Sequence, residues 1–176
     1  MAVVASATAA SISAARVLVT QDKALAEAFP GSAIERRTAF LTDAQAKKAE
    51  ALAGSPLPTR VVAYYLATKE GEASGAAFFD THLVRTFPET LMVVVDPAGS
   101  VVKVEVLSFD EPPEYLPKAR WFEQFKNRRL DRELAAGRGI PVVTGATLTS
   151  RAVAAAVRRA LALHAVLVAP AAGAPR

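Results

Sequence analysis

The rhythm of apolar and polar positions shifts along the chain from helix-like to strand-like and back. Asp22 to Phe29 reads as a short helix that stops at Pro30-Gly31. Thr42 followed by Gln45 is a capping-box pattern, opening a helix to about Ala53 that Gly54, Pro56 and Pro58 end. Arg60 to Ala67, rich in Val and Tyr, and Ala76 to Leu83 read as strands separated by the polar, Gly-bearing turn Lys69 to Gly75. The clearest hairpin is Thr90 to Val95, then Asp96-Pro97-Ala98-Gly99, then Val101 to Phe109. Val102, Val104 and Val106 alternate with Lys103 and Glu105, which predicts one inward face and one wet face. Consecutive strands with short turns imply an antiparallel sheet.

Two longer helices are predicted after the strands. Pro117 suits a first helical position, and the pattern runs to about Ala136 before Gly137, with Trp121, Phe122, Phe125 and Leu130 as its buried stripe. The last helix is predicted to start near Thr149 or Ser150. There Val153, Val157 and Leu161 recur at helical spacing while Arg151, Arg158 and Arg159 point elsewhere. Strands in the middle with helices at both ends predict an α+β domain.

Composition narrows the chemistry. The chain has 176 residues, 52% of them apolar, enough for one domain with a real core. Lys and Arg number 21 against 17 Asp and Glu, a net charge of +4. The densest basic groups are only pairs, Arg128-Arg129 and Arg158-Arg159, without the aromatic-interleaved stripe of a nucleic-acid binder. A mildly basic surface suits an anionic cofactor or an acidic partner. Cysteine is absent, which excludes disulfides, thiolate metal sites, iron–sulfur ligation and cysteine nucleophiles. With only two histidines, His82 and His164, a histidine-rich metal or haem site is not expected. Electron handling by such a chain calls for an organic cofactor.

Residues 1–15 are small and apolar and end Ser13-Ala14-Ala15 before Arg16, a pattern resembling a signal-peptidase site. They read as a signal peptide or a disordered leader. No stretch reaches the roughly 20 apolar residues of a membrane span, so a soluble or partner-held protein is expected. The single domain is placed at residues 16–168, and 169–176 as a disordered tail.

The segment Ile140 to Ser150 carries the most chemical information. An apolar approach leads into small and hydroxyl residues and then directly into a helix. A helix N-terminus offers unpaired N–H groups and the positive end of the dipole. Gly145 and Ala146 leave that backbone approachable, and Thr144, Thr147, Thr149 and Ser150 add hydroxyls. The pattern suits an anion, most simply a phosphate, although the Lys of a P-loop is missing. The same residues also describe an ordinary capped helix.

Thr144-Gly145-Ala146-Thr147-Leu148-Thr149-Ser150 resembles the flavinylation motif of the FMN-binding domain family. That family includes the G subunit of the Rnf electron-transport complex and the C subunit of the sodium-pumping NADH:quinone reductase. Its motif runs Asp, two variable residues, Ser or Thr, Gly, Ala, Thr. A second block, Glu111 to Phe125, is similar to the family segment in which a Glu opens a loop and a Gln-Phe-Lys-Gly string follows; here the string reads Gln124-Phe125-Lys126-Asn127. The resemblance covers about Thr90 to Leu163. It departs at Pro141, which stands where the family has its Asp, and at Pro112, Pro113, Glu114 and Tyr115, where the family often has glycines.

The resemblance implies a curved, half-barrel-like antiparallel sheet flanked by helices. It also implies FMN joined to the Thr147 hydroxyl through a phosphoester, with Thr144, Gly145, Ala146, Leu148 and Thr149 around it. An external flavin transferase would donate the FMN from FAD with magnesium. The mature domain would carry electrons outside the cytoplasm, in the periplasm or cell envelope, among membrane redox partner proteins; the alternatives are a protein that binds FMN reversibly, or a flavin-free envelope module that binds a protein or an anionic partner. Glu111 matches the family Glu. Trp121 or Phe125 would stack on the flavin or simply belong to the core. Lys126 would neutralise charge or stay solvated. Asp80-Thr81-His82 offers a proton relay or a structurally satisfied histidine, and His164 reads as structural.

Overall fold

The structure, a computed structural model, describes residues 16–168. The expectations for residues 1–15 and 169–176 fall outside them. Its centre is a five-stranded antiparallel sheet that follows chain order: β1 (Ala33–Phe40), β2 (Val61–Lys69), β3 (Glu72–Leu83), β4 (Pro88–Val95) and β5 (Val101–Phe109). Helix α1 (Gln21–Ala28) precedes it, α2 (Asp43–Ala53) sits between β1 and β2, and α3 (Ala119–Phe122) and α4 (Thr147–Leu167) follow. The result is an α+β fold with a curved, unclosed sheet. Among the described residues no helix is long and apolar enough to cross a membrane.

Local chemistry accounts for most boundaries. The Thr42–Gln45 capping box forms in both directions, and Gly54 closes α2 at φ 71°. The β2–β3 turn is tighter than the sequence suggests. Only Glu70 (φ 53°) and Gly71 (φ 85°) connect the strands, both in the left-handed region that matches the twist of a two-residue hairpin. Gly75 then permits a close crossing, since a Cβ there would lie 2.8 Å from the Val95 carbonyl oxygen.

The sheet is covered on both faces. One carries the main core, where Val62, Tyr64, Phe78, Leu91, Val93, Val95 and Val104 meet Val153, Ala156, Val157, Ala160 and Leu161 of α4. The other is closed by α1, whose Ala24 and Leu25 pack with Phe29 on Ala77, Met92, Val94 and Leu107. Strand β4 lies between the layers, and all of Leu91 to Val95 is at most 1% exposed. A continuous apolar run is what a strand buried on both faces requires.

Three expectations need correction. The helix predicted over Pro117 to Ala136 is not formed beyond its first turns: α3 passes into a 3-10 turn, Glu123–Phe125, and the helix ends there. Asn127 takes φ 61° and turns the chain. Its N–H donates to the Val101 carbonyl, and the Arg128 carbonyl accepts from the Val101 N–H, so this stretch completes the start of β5 instead. Leu134 is then held by its N–H on Asp131 Oδ1. The expected stripe still packs: Phe122 and Phe125 are buried, with Trp121 and Leu130 against them. Second, the Val102/Val104/Val106 alternation is broken. Val95 pairs with Val101 and Val94 with Lys103, so Val102 is bulged out, 43% exposed. Third, the last helix begins at Thr147 and not at Thr149 or Ser150. Strand β1 was not anticipated. Its AIERRTAF sequence is mostly exposed because, among the described residues, it is an edge paired only with β2.

A buried ionic network pins α4 to β3 and β4. Arg159 Nε and Nη2 each donate to Asp80 at 2.7 Å. His82 lies between Asp80 Oδ1 at 2.9 Å and Glu89 Oε2 at 3.0 Å. Glu89 is 0% exposed and its Oε1 has no partner. Burial alone would raise the Asp80 carboxyl, but the hydrogen bonds from Arg159 and His82 outweigh it and hold it at about 2. Burial likewise opposes charge on His82, yet its two carboxylate partners raise it to about 9. Burial pushes Glu89 up.

Candidate functional site: the head of α4

The segment leading into α4 is fixed at both ends and open in the middle. Ile140, fully buried, anchors its start, and its carbonyl accepts from the Gly137 N–H. The Trp121 indole N–H donates to the Pro141 carbonyl at 2.8 Å. Val143 N–H donates to Ser150 Oγ, which in turn donates to the Ala146 carbonyl. The Ala146 N–H donates to the Val143 carbonyl, closing a turn around Gly145. Gly145 sits at φ 85°, where a side chain is strained, although nothing lies within 4 Å of a Cβ built there. Thr149, 1% exposed, donates its hydroxyl to the Tyr115 carbonyl at 2.8 Å and joins the helix to the 3-10 turn Pro113–Tyr115.

These bonds commit Thr149 and Ser150 to structure and leave Thr144 exposed and Thr147 half-buried. Thr147 is the first residue of α4. The N-cap is Ala146, which makes no side-chain capping bond. Thr and Ser surround this helix end, yet none caps it in the usual way. Its first N–H groups and dipole are therefore available to an anion.

A cleft of about 220 Å³ opens on this end, lined by Val84, Arg85, Glu111, Tyr115 and residues 145–149. The Arg85 guanidinium lies 4.9 Å from the centre of the Tyr115 ring. Glu111, 4% exposed, is not a free carboxylate. Its Oε1 accepts the N–H groups of Arg85, Thr86 and Phe87 at 3.1, 2.8 and 3.0 Å. Those bonds, with Thr86 and Phe87 foremost, hold it below the usual carboxylate range. Glu111 thus shapes the loop that presents Arg85.

Whether these residues suit a flavin nucleotide is a matter of donors and space. Helix N–H groups, an arginine and a threonine hydroxyl are a phosphate donor set. The cleft is smaller than the roughly 300–1,000 Å³ of ordinary cofactor pockets, so it matches the phosphate end of FMN and not the whole molecule. A second recess of about 560 Å³ borders the same 141–149 segment, lined by Leu116, Pro117, Trp121, Pro141 and Val143 with Glu114, Lys118, Arg120 and Gln124. It supplies an indole and apolar walls suited to a ring. The residues present fit the group.

The remaining candidates lie as follows. Leu148 is 43% exposed at the cleft. Trp121 lines the second recess, whereas Phe125 is 0% exposed within the core. Lys126 lines a different groove, beside Val102, Val104 and Phe122. Both His82 nitrogens are taken by carboxylates, and His164 is 2% exposed, its charged form disfavoured by burial. Sequence reasoning missed Arg85 and passed over Tyr115 as a site residue. Neither belongs to the motif, and only the folded loop brings them to it.

The family model described as FMN-binding domain matches residues 88–162. No curated protein matches the chain. The matched stretch runs from the first residue of β4 into α4 and includes Glu111, the Pro113–Tyr115 turn and the whole Thr144–Ser150 motif. FMN is the cofactor of this domain type. Over residues 88–162, the chain is similar to the FMN-binding domain family.

Proposed function

We propose that this protein carries FMN as a phosphoester on Thr147 and passes electrons in a membrane-associated chain outside the cytoplasm. The observation that carries the reading is Thr147 itself. It is a half-buried hydroxyl at the first position of a helix without a side-chain cap, inside the stretch matched by the FMN-binding domain model. In the attachment step the Thr147 oxygen bonds to the phosphorus on the FMN side of FAD. The pyrophosphate bond breaks, AMP leaves, and the hydroxyl proton passes to solvent. FAD is the co-substrate, and a flavin transferase with magnesium is the catalyst. Once bound, the flavin supplies reversible electron transfer.

The chain's own residues position and neutralise. The α4 N–H groups and Arg85, which line one cleft, would hold the phosphate, Gly145 would keep its approach clear, and Thr149 fixes the helix to the Pro113–Tyr115 turn. Coexpression with a flavin transferase tests the reading. The intact mass should rise by one FMN, and Thr147→Ala should abolish the gain while folding normally. An unmodified mass beside a labelled family member would overturn covalent attachment.

Pro141 favours a second reading, reversible FMN binding. Neither Glu111, occupied by three N–H groups, nor Asp131, whose Oδ1 is held by Leu134 N–H and Arg128, is free to stand in for the family Asp. Flavin released on denaturation supports that alternative, and labelling that improves in Pro141→Asp identifies Pro141 as the obstacle.

A further inference from the structure

A separate cleft of about 520 Å³ lies between the end of α2, the loop 132–138 and the flank of α4. Arg132, Arg138, Arg151 and Arg158 line it, and the rest of its lining is Ala and Gly with Ser55. No carboxylate is among them. Among the described residues none of Arg132, Arg138 or Arg151 has an ion-pair partner.

Arg158 plays a different part. Its guanidinium is spent on backbone carbonyls: Nε on Ala53 at 2.7 Å, Nη2 on Leu52 at 3.1 Å, and Nη1 on Asp131 and Leu134 at 2.5 and 3.4 Å. This covers the negative end of α2, which would otherwise repel an anion. Ser55 Oγ lies beside the cleft, shielded from solvent and without a hydrogen-bond partner. Arginines without counterions around a floor of small side chains leave both space and charge for one kind of ligand.

We propose that this cleft is a second anion site, taking a small phosphate-bearing molecule, distinct from the flavin phosphate position at the head of α4. Planar guanidinium forks match phosphate oxygens two at a time. The volume lies in the ordinary range for small-molecule sites, about 300–1,000 Å³, and the recess is formed by three separate segments rather than one flat face. Arg151 sits one helical turn from Thr147 on the same face, so an occupant would neighbour the flavin site without sharing it.

Inorganic pyrophosphate and AMP are the probes, titrated into the full chain and followed by backbone amide NMR. Both should shift residues 54–55, 132–138 and 151–155. The Arg132→Ala/Arg138→Ala pair should weaken binding about tenfold, whereas Arg36→Ala, on the exposed edge strand, should not change it. Should the alanine pair fail to fold by circular dichroism, the Arg132→Lys/Arg138→Lys pair keeps the charge but loses the forks, and weaker binding is again expected. Undiminished binding in the folded pair, or shifts confined to residues 145–149, would overturn the proposal. So would binding of a poly-glutamate peptide without binding of pyrophosphate, which would assign the cleft to an acidic protein. The mass of the same samples after coexpression reports on Thr147 independently.

Discussion

At the residue scale, Thr147 and Gly145 divide the work of the motif between chemistry and conformation. Thr147→Ser should retain labelling and Thr147→Ala should lose it, read as in-gel flavin fluorescence after coexpression. Gly145 has no steric contact to lose, so Gly145→Ala isolates the backbone cost of φ 85°. About 1 kcal/mol of stability should disappear, measured by urea unfolding, through strain alone. The motif's small and hydroxyl residues were legible in the sequence because they are contiguous. The roles of individual hydroxyls were not. Thr149 and Ser150 look like Thr144 and Thr147 on paper, and only their bonds to Tyr115, Val143 and Ala146 separate structure from site. Arg85 was unreadable for the same reason, since Glu111 brings it in from another loop.

At the scale of elements, the Arg159–Asp80–His82–Glu89 network decides how α4 meets the sheet. Removing Arg159 leaves Asp80 buried without its bidentate partner, and Arg159→Ala should cost about 3–5 kcal/mol. The network also gives stability a pH profile. Asp80 is lowered from 3.8 to about 2, so its contribution is present above 3.8 and fades as pH falls through about 2. His82 is raised from 6.5 to about 9, so its contribution is complete below 6.5 and is lost as pH climbs through about 9. Glu89 is raised and works the other way, opposing folding once pH passes its ordinary 4.5. Urea midpoints should therefore fall between pH about 7 and about 10, and His82→Gln should remove that alkaline decline. Periodicity revealed α1, α2 and the central strands because each has local signals at its ends. It failed over residues 117–136 because β5 takes Asn127 and Arg128 as backbone partners, a demand that no local pattern records.

At the scale of the molecule, Arg158 is the residue that closes the α-helical layer, bonding the end of α2 and the 131–134 loop to α4. Arg158→Ala should cost about 2 kcal/mol, because the carbonyls of the buried residues Ala53 and Leu134 lose a charged donor, and should leave Thr147 labelling in place. Strand β1 escaped the sequence reading through its charges, Glu35, Arg36 and Arg37, which do not look like a strand. Those charges suit its position at the rim of the sheet. Were all three replaced by valine, the outer rail of backbone N–H and C=O groups would become a template for other chains. Gel filtration should then show higher-order species that grow with protein concentration. On this expectation, the charges of that strand bar neighbouring molecules from continuing the ladder.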